Sequence, residues 1–160
     1  MSDSVFQVTS PAFSEGGWIP KEHAQNGANR SPELRPVNPP KGTVGYAVVM
    51  ADVTKPEKPV YQWAIWNIPM LDAISAGVPQ EPSVAALGGA TQSGSYHNHR
   101  YKGPAAVLLG GPHIYRFTLI ALNGHIDLDC HLFPEEFLAG IGGYVLGEAT
   151  LTGKYKRGSN

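Results

Sequence analysis

The sequence contains a single cysteine and no excess of either charge. Cys130 stands alone among 160 residues, which excludes a disulfide within the chain and a metal cage built from several thiolates. Because the neighbouring Asp129 raises the pKa of a thiol, we expect Cys130 to be a small buried residue rather than a nucleophile. The 12 Lys and Arg residues are balanced by 13 Asp and Glu, so we expect no nucleic-acid partner. The short basic tail at 154–157 is typical of a solvated terminus.

Long hydrophobic runs and common catalytic motifs are also missing. No apolar run approaches the length of a membrane span, and the first residues have neither a basic region nor a long apolar region. We therefore expect a soluble, cytoplasmic protein with no membrane span. The chain has no glycine-rich dinucleotide or phosphate loop, no hydrolase elbow and no HExxH motif, and we expect no cofactor.

The composition is that of a folded domain rich in β-structure. Hydrophobic residues make up 42% of the chain and charged residues 16%, and the length suits one domain over residues 1–160. The 19 glycines and 14 prolines separate short apolar runs that have strand character. The predicted strands lie near 5–8, 44–50, 60–68, 114–122 and 144–151. The sequence therefore predicts a mostly β protein.

The run 45–50 is nearly continuous in its apolar character, as expected of a strand covered on both faces, whereas 61–67 alternates imperfectly. We expect these two to be central, adjacent strands. The prolines and charges of 52–59 cannot lie in a central strand and predict a loop at a sheet end. Helix signals are sparse. Residues 71–76 could form one or two turns, and 133–140 combine a proline at a first helical position with acidic residues in the first turn.

A glycine- and proline-rich loop leads into His113 and Tyr115, at the start of the predicted strand 114–122. Successive strand side chains point to opposite faces, so these two share one face and Ile114 points to the other. An imidazole beside a phenol can recognise an anion or a hydroxyl. Alternatively, Tyr115 is a core residue with its hydroxyl at the rim.

The spacing of three histidines allows for a metal site. His97 and His99 lie two residues apart with His113 beyond them, and imidazoles suit zinc or copper. Their loop contains no nearby Asp, Glu or Cys, so we expect solvent-facing rings and no metal site. The other histidines are isolated in the sequence and are assigned no chemistry: His23, His125 and His131.

Short motifs follow one another in a characteristic order over nearly the whole chain, from about Phe6 to Tyr155. They occupy 10–13, 19–20, 29–32, 40–43, 52–56, 63–69, 101–104, 111–117 and 151–153. Their order and spacing resemble the phosphatidylethanolamine-binding protein family, specifically its bacterial Raf-kinase-inhibitor-like branch. The resemblance implies a large central antiparallel sheet, with a smaller sheet on one side and a few short helices on the other. It also implies a pocket at a sheet end for phosphate, acetate or a phosphorylated head group.

The resemblance assigns pocket residues position by position. Asp52 matches the first acidic residue of the family's Asp-Pro-Asp-x-Pro loop. Gly103 and Pro104 match the start of its Gly-Pro-x-Pro-Pro segment, and His113 and Tyr115 match its His-x-Tyr pair. The assignments of His113 and Tyr115 thus coincide with the His-Tyr corner found from the strand pattern.

The chain departs from the family pattern around the same pocket. Thr54 stands where the family has a second Asp, Val53 replaces a proline, and Gln62 replaces the His before the strand residue Trp63. Residues 105–107 replace further prolines. A carboxylate and an imidazole are lost together, so we expect a pocket that depends less on pH and is more apolar. A preference for phosphate is no longer implied.

Two functions are compatible with this pocket. As a binding module, the protein would take a small-molecule ligand, a phosphate-like anion or a polar metabolite. His113 and loop N–H groups would hold the head group, Tyr115 would donate its hydroxyl, and Asp52 would fix the imidazole tautomer. The full predicted ligand-binding set is Asp52, Thr54, Gln62, Trp63, Gly103, Pro104, His113 and Tyr115.

As a small biosynthetic enzyme, the protein would cyclise or isomerise a neutral substrate. His113 and Asp52 would be the acid/base residues, and Tyr115 or Gln62 would hold a carbonyl. We favour binding because a fold alone does not imply catalysis. Asp52 could also serve only as a turn-forming cap. The resemblance is compatible with a homodimer.

Overall fold

The computed structural model describes residues 5–94, 98–105 and 111–156 of the chain. Its elements in chain order are β1 (Gln7–Thr9), β2 (Gly17–Trp18), β3 (Arg35–Val37), β4 (Gly45–Asp52), β5 (Val60–Pro69), β6 (Ser83–Val84), β7 (Ala90–Gln92), β8 (His113–Leu122), α1 (Pro134–Gly140) and β9 (Val145–Tyr155). Single 3₁₀ turns lie at Lys21–His23, Ala85–Leu87 and Gly142–Tyr144. In this part of the chain, no helix is long and apolar enough to cross a membrane.

The main sheet has seven strands in the order β2-β9-β8-β4-β5-β7-β6, and β1 pairs with β3 in a separate two-stranded sheet. All neighbouring strands are antiparallel except β2 and β9. The mostly β fold with a large and a small sheet is thus confirmed. β4 and β5 are adjacent, as predicted. Residues 45–51 of β4 are all buried because both faces of the sheet are covered, which explains their continuous apolar composition.

The two faces of the main sheet carry separate apolar clusters. Val48 of β4 belongs to a cluster that includes Val8 of the small sheet, and we call this side the small-sheet face. Val49 points the other way, into a cluster that includes Phe137 of α1, on the helix face. The small sheet and the helix therefore cover opposite faces, as the resemblance implied.

Helix α1 begins at Pro134, as its sequence predicted. Proline suits the first helical position because its fixed φ is helical and its missing N–H would have no helical partner. The backbone N–H of Phe133 donates to the carboxylate of Glu136 at 2.8 Å, which closes the first turn. Phe137 stacks on Trp66 with ring centroids 4.3 Å apart, and both side chains are fully buried. Packing against the sheet thus stabilises a helix too short to persist alone.

The prediction of helical turns at 71–76 is wrong. Instead, Ile74 forms an isolated antiparallel bridge with Leu34, with reciprocal backbone hydrogen bonds of 2.7 and 3.0 Å. Both side chains are buried in the small-sheet cluster. A helix of six residues gains few internal hydrogen bonds, so pairing with a distant segment is favoured.

Strand β5 departs from strict alternation because of a β-bulge at Gln62. Met50 of β4 lies opposite Trp63, but the following Ala51 lies opposite Tyr61, which leaves Gln62 as the extra residue. As a result, the Gln62 amide and the Trp63 ring both contact residues 101–103. The bulge directs two consecutive side chains to one loop, which a regular strand cannot do.

Candidate functional site

The predicted His-Tyr corner forms where β4 ends and β8 begins. Asp52, the last residue of β4, lies opposite Tyr115 in the antiparallel register. The rings of His113 and Tyr115 share one face of β8 and stack with centroids 6.3 Å apart. Nδ1 of His113 lies 2.6 Å from Oδ2 of Asp52, so its N–H donates to the carboxylate. In a neutral imidazole this bond leaves the lone pair on Nε2.

Thr54 closes the other side of the Asp52 carboxylate. Its backbone N–H and its hydroxyl donate to Oδ1 of Asp52, at 2.9 and 2.6 Å. The same hydroxyl oxygen accepts the N–H of Ile114 at 2.9 Å. Asp52 therefore does act as a turn-forming cap, and the same carboxylate also contacts His113. Thr54 joins the loop after β4 to the first residues of β8.

Charge states at the corner follow from these contacts. Burial alone would raise the pKa of Asp52, but hydrogen bonds from Thr54 and His113 outweigh it and lower that pKa. Burial raises the pKa of Tyr115, and the Asp52 charge adds to the effect, against a hydrogen bond from the Ala105 backbone. Asp52 is consequently ionised and Tyr115 neutral at neutral pH. Tyr115 is only 1% exposed and forms part of the core.

Gln62 supports the loop at residues 101–105, which we call the glycine-proline loop. Its Nε2 donates to the backbone oxygens of Lys102 and Gly103, both at 2.8 Å. Two carbonyl acceptors fix the orientation of the amide, since only the NH₂ group can serve both. The Gln62 side chain is buried, and its two amide protons are used within the protein. Its place in the fold is thus that of a brace beneath the loop.

The Trp63 side chain is buried, with 2% of its surface exposed. Its Nε1–H donates to Oε1 of Gln92 at 2.7 Å. The edge of its ring meets the Tyr101 ring at a centroid distance of 5.3 Å. Trp63 therefore positions the loop that begins at Tyr101 from below.

A polar segment near residue 25 holds the same loop from outside, and the sequence analysis missed it. The side chain of Gln25 donates to the oxygen of Gly103 at 2.9 Å, and its backbone N–H donates to Pro104 at 2.9 Å. Asn29 accepts the N–H of Gly103 at 2.7 Å and donates to the oxygen of Tyr101 at 3.1 Å. In the sequence, residues 16–42 stand out as a long stretch without a periodic pattern. That pattern does not indicate which other segment they contact.

Gly103 is required by this close packing. A Cβ at Gly103 would collide with the backbone oxygen of His23 and with the Tyr101 ring. The Tyr101 hydroxyl donates to that same His23 oxygen at 2.7 Å. The loop is thus held against segment 23–29 at a distance that only glycine permits.

A depression of about 270 Å³ opens beside the Asp52–His113 pair. It is lined by Asp52, Thr54, Lys55, Lys58, Val60 and His113. In the sequence, the charges of this loop exclude a central strand but do not mark Lys55 and Lys58 as site residues. Larger grooves of about 540 and 510 Å³ run along β9, but no histidine lines them. Residues 106 and 107, where the chain also departs from the family pattern, lie outside the described residues.

Comparison with known proteins agrees with this architecture. Residues 9–156 match the family profile described as phosphatidylethanolamine-binding protein. The chain belongs to the phosphatidylethanolamine-binding protein family. A relative from Methanothermobacter thermautotrophicus, named UPF0098 protein, is 33% identical over 150 residues, which are 92% of this chain and 96% of the relative.

Two solved structures share the fold of this family member. Escherichia coli YbcL, described as a new member of the mammalian PEBP family, has a TM-score of 0.79 and 24% identity, over 94% of this chain and 98% of YbcL. The PEBP homologue CT736 from Chlamydia trachomatis has a TM-score of 0.77 and 21% identity, over 97% of this chain and 99% of CT736. At these identities the likeness shows the fold alone.

In this family member, His99 differs from the sequence expectation of a solvent-facing ring with no Asp, Glu or Cys nearby. It is half-buried and lies beside Cys130 and His131. His97 falls outside the described residues. Cys130 is partly exposed rather than buried. Burial and the neighbouring Asp129 raise the pKa of its thiol, in the direction expected.

Proposed function

We propose that this family member binds a phosphate-like anion or a polar metabolite at the Asp52–His113 pair, without chemical conversion. The observation that carries the proposal is the 2.6 Å contact between Nδ1 of His113 and Oδ2 of Asp52, at the edge of a depression that Lys55 and Lys58 also line. The contact orients the imidazole, and the lysines supply charge for an anion.

The charge balance of the depression supports an anionic ligand. The lining includes two lysines and one ionised carboxylate, which leaves one formal positive charge in excess while the imidazole is neutral. Asp52 directs its two oxygens to Thr54 and His113, so its charge is partly neutralised before a ligand arrives. Nε2 of His113 can accept from a hydroxyl when neutral or donate to an anion when protonated.

The hydrogen-bond network gives less support to the catalytic alternative. That hypothesis used Gln62 or Tyr115 to hold a substrate carbonyl. Both amide protons of Gln62 are donated to loop carbonyls, and Tyr115 is 1% exposed. Of the four residues that the catalytic hypothesis names, Asp52 and His113 line the depression, whereas Gln62 and Tyr115 do not. A pair of this kind suffices to orient a ligand, whereas catalysis also needs groups that stabilise a transition state.

Calorimetric titration with phosphate and with phosphoethanolamine tests the proposal. We expect saturable binding that is lost in His113→Ala and weakened about 3-fold or more in Lys55→Ala and Lys58→Ala, as expected for partly screened charges. Lys41→Ala is the matched control, because this exposed lysine precedes the opposite end of β4 and should leave affinity unchanged. Thermal unfolding of each free variant separates loss of binding from loss of fold.

Two results would overturn the binding proposal. One is the absence of saturable binding at millimolar ligand, and the other is equal affinity in His113→Ala and the unaltered protein. Native mass spectrometry of the purified protein provides an independent measurement, since it reports a retained ligand and also tests the expected homodimer. Turnover of a retained metabolite that Asp52→Asn abolishes without unfolding the protein would favour the enzyme instead.

A further inference from the structure

Three potential metal ligands from two distant segments meet at one place. Sγ of Cys130 and one ring nitrogen each of His99 and His131 all lie within 4.8 Å of one another. The distance from Sγ to Nδ1 of His131 is 3.8 Å. In tetrahedral zinc sites, with bonds of about 2.0–2.3 Å, neighbouring ligand atoms are about 3.3–3.8 Å apart. Side-chain shifts of about 1 Å would place all three atoms around one ion.

Residues 93 and 94, shortly before His99, are hydrogen-bonded to residues 130–132. These bonds do not involve the side chains of the three ligands. The N–H of Gly94 donates to the backbone oxygen of Cys130 at 2.9 Å. The hydroxyl of Ser93 donates to the oxygen of Leu132 at 2.7 Å. The ligand-bearing backbone is therefore positioned before an ion binds, which lowers the entropic cost of binding.

His99 has the outer contact typical of a metal-binding imidazole. Nδ1 of His99 lies 2.8 Å from the backbone oxygen of Gln92, so its N–H donates there and the lone pair is on Nε2. Metal-bound histidines commonly donate to a carbonyl in this way. Nδ1 of His131, the nitrogen that lies 3.8 Å from Sγ, donates instead to a carboxylate oxygen of Asp129 at 2.7 Å, and coordination by Nδ1 replaces that hydrogen bond. Asp129 adds negative charge beside the ion whichever nitrogen of His131 coordinates it.

The backbone around His99 is strained. Asn98 and His99 have φ values of 57° and 61°, so two successive non-glycine residues lie in the left-handed region. Such conformations cost about 1 kcal/mol or more each and cluster at functional sites. The His99 ring packs directly over Gly94, where a Cβ would collide with it. The strained turn and the glycine together allow this ring to face Cys130.

We propose that His99, Cys130 and His131 form a binding site for a thiophilic metal ion, Zn²⁺ or Cu⁺, with water or another small ligand in the remaining position. One thiolate and two imidazoles suit these ions, whereas Mg²⁺ and Ca²⁺ prefer oxygen ligands. Binding releases the Cys130 proton to solvent. The side chain of His131 is largely exposed and Cys130 is partly exposed, so an ion can enter from solvent. This site shares no residue with the Asp52–His113 pair.

Titration with Co²⁺ under reducing conditions is the first test. We expect one equivalent to bind with a thiolate-to-cobalt charge-transfer band, and Zn²⁺ to displace it. Cys130→Ser should abolish the band, and His99→Gln should weaken affinity about 10-fold or more. His125→Gln is the matched control, because this exposed histidine lies outside the cluster. A second arm titrates Cu⁺ against a chromophoric chelator and shows which of the two ions binds more tightly.

Alkylation provides a measurement that needs no variant. Cys130 is the only cysteine, so iodoacetamide reports on this thiol alone. We expect Zn²⁺ to slow its alkylation and EDTA to restore the rate. The proposal is overturned if bound Co²⁺ shows no thiolate band and Zn²⁺ does not protect Cys130. It is also overturned if folded His99→Gln and His125→Gln bind the metal equally well.

Discussion

Nδ1 of His113 and Oδ2 of Asp52 are 2.6 Å apart, although 61 positions separate the two residues in the chain. The antiparallel pairing of β4 with β8 creates this contact, because it places Asp52 opposite Tyr115, two residues beyond His113 on the same face. Thr54 then holds the carboxylate from the other side. The Asp52–His113 pair is therefore built into the end of the sheet, and its variants report on both stability and binding.

Asp52→Asn should change the pH dependence of stability. The pKa of Asp52 is lowered in the folded state, so the ionised carboxylate stabilises the fold above the unfolded-state pKa of about 3.9. That contribution is lost as the pH falls through the lowered folded-state pKa. Urea unfolding between pH 2.5 and 7 should show this loss in the unaltered protein and a flatter profile in Asp52→Asn. The exposed Asp127→Asn serves as control and should retain the original profile.

Thr54→Val should destabilise the loop after β4. The valine cannot donate to Asp52 or accept the N–H of Ile114, and the lost hydrogen bonds cost about 1–2 kcal/mol of unfolding free energy. Thr54→Ser keeps the hydroxyl and should unfold nearly as the unaltered protein does. Chemical denaturation measures the difference, and equal stability of the two variants would contradict this assignment.

Gln62→Met should loosen the glycine-proline loop without changing side-chain length. The variant leaves the backbone oxygen of Lys102 without its amide donor and the oxygen of Gly103 with that of Gln25 alone, at a cost of about 1–3 kcal/mol. Hydrogen exchange should accelerate at residues 101–105, the segment that Gln62 braces. Gln7→Met, at an exposed position of β1, should leave exchange in this segment unchanged.

Gly103→Ala tests the close approach of the loop to segment 23–29. The added Cβ would collide with the His23 backbone oxygen, so the loop must move, at a cost of about 1–3 kcal/mol. We expect a lower melting temperature and weaker binding at the Asp52–His113 pair. Gly111→Ala is matched, because a Cβ there meets nothing within 4 Å. Equal melting temperatures for the two variants would refute the packing argument.

Local sequence patterns were sufficient for the main strands, for α1 and for the shared face of His113 and Tyr115. Apolar runs bounded by turn residues specify strands by their side-chain period, and a proline followed by acidic residues specifies a helix start. The family resemblance added the sheet arrangement and the candidate residues Asp52, Gly103 and Pro104. Residues 71–76 failed as a helix because pairing of Ile74 with Leu34 replaced a short local structure.

The sequence by itself thus determined the mostly β character, the principal strands and the corner at His113. Only the tertiary structure decided that Gln62 braces a loop, since a bulge reorients it. It also decided that Gln25 and Asn29 hold that loop, and that His99 meets Cys130 and His131. The physical reason is that periodicity reports only on neighbours along the chain, whereas these contacts depend on strand register and on how distant loops pack.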